Sequence, residues 1–139
     1  MNAIHGCLTE ISILCVEDDP LSREFLARMI SAGYPGWTVH TAENGQAGLD
    51  IFRKFGTDII LTDISMPVMD GIRMAREIRA LNPDACIISF SAHSNLNGRT
   101  DDPDILFTRH MLKPVSRKLL YETIDECIHL ISRDRHADC

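Results

Sequence analysis

The chain has 139 residues, of which 45% are hydrophobic and 24% charged, and its formal net charge is −6 at pH 7. These values are typical of one globular domain, and the acidic balance argues against a protein that binds nucleic acid or membrane surfaces through its charge. No apolar run approaches the roughly 18 residues of a membrane span, and the N-terminus has no basic region followed by an apolar stretch. We therefore expect a cytoplasmic protein.

Apolar segments of strand length alternate along the chain with segments of helical periodicity. The pattern predicts strands at residues 11–16, 37–42, 57–63, 85–91 and 105–113. Helices are predicted from Pro20, with Asp19 as its cap, and at residues 43–55, 72–81 and 116–132. Because strands and helices alternate, and the strands are apolar on both faces, the chain is predicted to form a parallel sheet covered by helices on each side. The fold class is therefore α/β and doubly wound, in a single domain covering residues 1–139, with its core at about 10–132 and a polar tail at 133–139.

The cysteines fit neither a disulfide framework nor a zinc site, because their number is odd and no two are close in sequence. Cys15, Cys86 and Cys127 lie in apolar segments. We expect these three to be reduced residues of the core.

Polar side chains stand where four of the predicted strands end. The first strand is followed by Glu17 and Asp18, the third ends in Asp63, the fourth in Ser91 and the fifth in Lys113. In a parallel sheet these ends form the edge at which ligands bind. Clustered carboxylates repel each other unless a cation lies among them, and Mg2+ prefers carboxylate and water oxygens. We therefore expect a magnesium site in which Asp63 is a nucleophile toward a phosphoryl group, while Lys113 and Ser91 contact the phosphoryl oxygens.

Four segments together resemble the receiver domain of bacterial two-component response regulators. They are VEDD (16–19), LTDISMPVMDG (61–71), SFSA (89–92) and LKP (112–114). The resemblance implies a flavodoxin-like fold with five parallel strands in the order 2-1-3-4-5. It also implies that Asp63 is the phosphoacceptor, phosphorylated by a histidine kinase or a histidine phosphotransfer protein.

The resemblance implies a set of magnesium ligands at this site. Asp18 is expected to bind the ion directly and Glu17 through water. Asp63 and the backbone carbonyl of Ser65 are the further ligands.

The resemblance also implies a conformational switch. Ser91 occupies the Ser/Thr switch position, and His110 stands at the aromatic switch position, three residues before Lys113. A half-buried core histidine is an alternative interpretation of His110, and the two interpretations are compatible. Ser65 and His93 lie two residues after the phosphoacceptor and the switch hydroxyl, at positions that affect the lifetime of the phosphoryl group.

The function implied is that of a phosphorelay module rather than an enzyme, with only its own phosphorylation and dephosphorylation as chemistry. Phosphorylation is expected to change the surface around the family's fourth helix, fifth strand and fifth helix. We expect this output surface to control an output domain or partner protein. A homodimer could also form through it. Residues 94–104, where the family has its fourth helix, contain few helix-forming or large apolar residues, so we expect at most about two helical turns there.

Two other functions compete with this interpretation. A magnesium-dependent hydrolase of the haloacid dehalogenase type would also use an aspartate nucleophile, but that nucleophile begins a D-x-D motif. Here Asp63 is followed by Ile64 and Ser65, so the second acid is missing. A pseudo-receiver would bind partners without phosphorylation, and the complete set of acids, serine and lysine argues against it.

Overall fold

Five parallel strands form the sheet of the computed structural model, which describes residues 11–92 and 106–136, with side chains described up to residue 132. The strands are β1 (Ser12–Val16), β2 (Thr38–Ala42), β3 (Ile59–Asp63), β4 (Cys86–Ser91) and β5 (Arg109–Leu112). Their order in the sheet is β2-β1-β3-β4-β5, and each neighbouring pair is parallel. The predicted flavodoxin-like order is thus confirmed.

The described helices are α1 (Pro20–Gly33), α2 (Gly45–Phe55), α3 (Gly71–Leu81) and the C-terminal helix (Arg117–His136). Each of the first three begins after a side chain that accepts a hydrogen bond from the first turn, which satisfies a backbone N–H that the helix leaves unpaired. These caps are Asp19, Asn44 and Asp70, each 2.8 Å from the backbone nitrogen that it accepts from. The predicted cap at Asp19 is confirmed, whereas α2 begins after Asn44 rather than at residue 43.

Two apolar layers cover the sheet because successive residues of each strand point to opposite faces. On one face, Ile13, Cys15 and Ile88 pack with buried residues of α1 and the C-terminal helix. On the other face, Leu14 and Ile87 pack with buried residues of α2 and α3. This arrangement confirms the predicted helices on both sides of the sheet.

The three cysteines assigned to the core are buried and carry free thiols. Burial raises the pKa of Cys15 to about 12, because the ionised thiolate is disfavoured away from water. The prediction of reduced core residues is confirmed for Cys15, Cys86 and Cys127.

The largest differences from the predicted element bounds are at β5 and the C-terminal helix. β5 covers only Arg109–Leu112 rather than residues 105–113. The C-terminal helix extends to His136, beyond the predicted end at residue 132, and residues 133–136 contain no glycine or proline that would stop it. The predicted short helix at 94–104 lies outside the described residues.

The guanidinium of Arg79 fixes the chain just before β4 and β5. Its Nε donates to the carbonyl oxygen of Leu106 at 3.0 Å, and Nη2 donates to Oγ1 of Thr108 at 3.3 Å. Nη1 donates to the carbonyl oxygens of Pro83 and Ala85. These bonds hold the residues before β5 to α3 and to the residues before β4. Leu106 is helical rather than extended, so the strand begins only after it.

Within the described part of the chain, no helix has both the length and the apolar character that a membrane crossing requires.

Candidate functional site

Three carboxylates meet at the carboxyl edge of the sheet. Glu17 and Asp18 directly follow β1, and Asp63 is the last residue of the neighbouring strand β3. Each offers an oxygen, and these oxygens all lie within 4.8 Å of one another. Glu17 and Asp63 are only 1% and 5% exposed, whereas Asp18 is exposed. The cluster therefore has a buried floor and one side open to solvent.

The ammonium group of Lys113, which follows β5, lies among these carboxylates. Its Nζ donates to Oδ2 of Asp63 at 2.8 Å and to Oε1 of Glu17 at 3.3 Å. Burial alone would lower the pKa of Lys113, but the hydrogen bond and the negative charges of Asp63 and Glu17 outweigh it, so the pKa is raised. The charged ammonium of Lys113 therefore connects the carboxylates at the ends of β1 and β3.

The pKa of Glu17 is raised in this arrangement. Burial raises its pKa, and the neighbouring acids Asp18 and Asp63 add to that effect, against the lowering effects of the Asp19 backbone N–H and of Lys113. Three carboxylates face one ammonium, so the negative charge of the cluster exceeds the positive charge of Lys113. Carboxylate oxygens of this kind, one of them open to solvent, fit a hard divalent cation that keeps part of its water shell.

The loop after β3 holds the carboxylate of Asp63 from the other side. The backbone nitrogen of Ser65 donates to Oδ1 of Asp63 at 3.3 Å. The nitrogen of Gly71 donates to the carbonyl oxygen of Ile64 at 2.9 Å, and a Cβ atom on Gly71 would collide with the carbonyl oxygen of Asp63. Glycine at position 71 therefore lets α3 begin directly against the end of β3.

Ser91 ends β4 beside the acidic cluster, and its backbone is fixed by the next strand. The backbone nitrogen of Lys113 donates to the carbonyl oxygen of Ser91 at 2.7 Å. The Ser91 hydroxyl is 3.3 Å from Nε2 of His110, whose Nδ1 is 2.6 Å from the hydroxyl of Ser89. His110 is an exposed residue of the edge strand β5, so the half-buried environment considered from the sequence is not observed.

The structure brings together most of the side chains that the sequence singled out. Glu17, Asp18, Asp63 and Lys113 form one cluster, and Ser91 contacts His110, whereas His93 lies outside the described residues. Ser89 was missed. The alternation of Ser89, Phe90 and Ser91 could have indicated it, because residues two apart in a strand share a face.

A family model described as the response regulator receiver domain matches residues 13–125. The chain belongs to this family. The acidic cluster formed by Glu17, Asp18 and Asp63 fits the phosphoacceptor site of such a receiver domain.

Two curated relatives have longer chains than this one. The receiver domain is 31% identical over 117 residues to the transcriptional regulatory protein GlrR of Escherichia coli, covering 84% of this chain and 26% of GlrR. It is 27% identical over 128 residues to the response regulator MprA of Mycobacterium sp. (strain KMS), covering 92% of this chain and 55% of MprA. The chain thus spans between a quarter and about half of the length of these relatives.

One similar crystal structure carries a metal ion. It is the wild-type response regulator protein TrrA from Thermotoga maritima in complex with Mg2+-BeF. The two chains are 32% identical, with a TM-score of 0.74, and the match covers 84% of this chain and 98% of TrrA. The match therefore extends over almost the whole of the TrrA chain.

Proposed function

We propose that Asp63 is the phosphoacceptor of this receiver domain and that a histidine kinase or a histidine phosphotransfer protein is the donor. A carboxylate oxygen of Asp63 attacks the phosphorus atom, the P–N bond of the phosphohistidine breaks, and an acyl phosphate forms on Asp63. The observation that carries this proposal is the convergence on Asp63 of Glu17, Asp18 and the ammonium of Lys113, which is 2.8 Å from its Oδ2.

Mg2+ is the cation proposed for the cluster. Asp18 and Asp63 would hold it directly, Glu17 through water, and the backbone carbonyl of Ser65 would complete the protein ligands. When bound, the ion supplies positive charge to the phosphoryl oxygens. The Mg2+-BeF complex of TrrA supports this choice of ion. Lys113 contributes a second positive charge to the same oxygens.

The proposal extends to a switch and a partner. Ser91 donates to a phosphoryl oxygen, His110 changes its side-chain position with it, and the output surface then changes its affinity for an output domain or protein, or for a second copy of the chain. Ser65 and His93 tune the lifetime of the phosphoryl group. We further propose that residues 1–139 form one receiver domain that acts in the cytoplasm.

Phosphorylation by a small donor tests the assignment of Asp63. With Mg2+ and acetyl phosphate, the wild-type protein should gain one phosphoryl group, measured by intact mass, and chelation of Mg2+ should prevent it. Asp63→Asn should gain none. Asp84→Asn, which makes the same change at an exposed acid outside the cluster, should be labelled like the wild type. Equal labelling of Asp63→Asn would overturn the proposal.

The metal ligands are tested by the magnesium dependence of that reaction. Asp18→Ala should raise the Mg2+ concentration needed for half-maximal labelling more than Glu17→Ala does, because a direct ligand contributes more than one that acts through water. An Asp18→Ala variant with the magnesium dependence of the wild type would contradict the ligand assignment.

A further inference from the structure

The imidazole of His110 lies between two serine hydroxyls of β4. Nδ1 is 2.6 Å from Oγ of Ser89, and Nε2 is 3.3 Å from Oγ of Ser91. Ser89 and His110 are register partners on adjacent parallel strands, and Ser91 follows Ser89 by two residues. All three side chains therefore face the same side of the sheet, opposite to Phe90.

The Ser89 hydroxyl has two acceptors within reach, Nδ1 of His110 at 2.6 Å and the carbonyl oxygen of Arg109 at 3.5 Å. The contact with Nδ1 is much the shorter, so a hydroxyl that donates there makes the stronger hydrogen bond. With Ser89 as the donor, Nδ1 is unprotonated, and a neutral imidazole then has its one ring proton on Nε2, from which it can donate to Ser91.

We propose that Ser89 is a positioning residue of the switch, whose hydroxyl holds His110 in the Nε2–H tautomer with its ring directed at Ser91. Ser89 is fully buried, so this donor has a fixed direction. An oxygen that accepts a hydrogen bond becomes a stronger donor through its own proton. Ser91, supported by His110, therefore donates more strongly to a phosphoryl oxygen, a step that rests on the proposed function.

The tautomer of His110 in the unphosphorylated protein tests the first half of this proposal. Nitrogen-resolved NMR of the ring should show the Nε2–H form in the wild type. In Ser89→Ala the ratio of Nε2–H to Nδ1–H should fall by about 5- to 10-fold, the effect of one ordinary hydrogen bond. Ser132→Ala is the matched control, because the Ser132 hydroxyl is buried and has no hydrogen-bond partner within the described residues. An unchanged ratio in Ser89→Ala would overturn the proposal.

Binding of beryllofluoride, which mimics a phosphoryl group on a carboxylate, tests the second half. In the presence of Mg2+, Ser89→Ala should weaken binding by about 3- to 5-fold, less than a whole hydrogen bond because the effect reaches Ser91 through His110. In a His110→Phe background the same substitution should have no further effect. Equal weakening in both backgrounds would show a role in packing only and would refute positioning.

The two measurements separate this proposal from the phosphoacceptor assignment. If the wild-type protein binds no beryllofluoride, the proposed function fails and the role given to Ser91 fails with it. The tautomer measurement needs no phosphoryl group, so it still decides whether Ser89 orients His110.

Discussion

Replacing Lys113 with methionine removes the ammonium group from the acidic cluster and leaves the two carboxylates that it contacts largely buried. The contacts at 2.8 Å and 3.3 Å correspond to about 3–11 kcal/mol of attraction for effective dielectric constants between about 80 and 20. The Lys113 side chain is 35% exposed, so solvent screening and its own lost hydration place the net effect near the lower end. We expect the variant to lose about 2–3 kcal/mol of unfolding free energy in metal-free buffer.

Magnesium should reverse part of that loss, because a divalent cation and the ammonium stabilise the same carboxylates. The measurement is urea denaturation of the wild type and Lys113→Met, each with chelator and with excess MgCl2. The increase in unfolding free energy on adding MgCl2 should be larger in Lys113→Met than in the wild type. Lys118→Met is the control, because Lys118 is an exposed lysine on the C-terminal helix. An equal magnesium effect in both proteins would refute the view that the two cations share one site.

Two further predictions concern the backbone around the site. Gly71→Ala should destabilise the protein by about 2–3 kcal/mol in urea denaturation, because its Cβ would collide with the carbonyl oxygen of Asp63. A loss of stability within experimental error would contradict so close an approach of α3 to β3. The backbone N–H of Ser22 lowers the pKa of Asp19, so the stability that this carboxylate contributes is present above its unfolded pKa and is lost as pH falls through the folded value. Asp19→Asn keeps a helix cap that does not titrate, so the stability difference between variant and wild type should shrink in acid, and a pH-independent difference would contradict this.

The acidic cluster could be predicted from the sequence because parallel topology alone brings strand ends to one edge. Glu17 and Asp63 each end an apolar run, and strands that alternate with helices allow few other arrangements. Lys113 follows the fifth predicted strand and is brought to the same edge by the same topology.

The contacts within the site depend on quantities that the sequence does not contain. The bond between Ser89 and His110 requires the register between β4 and β5, whose paired residues are 21 positions apart in the chain. Lys113 lies closer to Asp63, at 2.8 Å, than to Glu17, at 3.3 Å, and so small a difference between side-chain distances cannot be read from the sequence. The hydrogen bonds of Arg79 to Leu106 and Thr108 are tertiary contacts, which local periodicity cannot indicate.

Substitution of Arg79 would act on the stability of the fold at a distance from the acidic cluster. Three of the four groups that accept hydrogen bonds from Arg79 are backbone carbonyl oxygens. A substitution at those positions keeps the carbonyl oxygen, so these hydrogen bonds depend on the arginine side chain. A lysine has one compact charge and cannot span the same acceptors as a planar guanidinium. The acceptors lie before β4 and β5, at the end of the sheet opposite to Asp63. We therefore expect a substitution at Arg79 to reduce the amount of folded protein in a cell, while each folded molecule keeps the arrangement of side chains around Asp63.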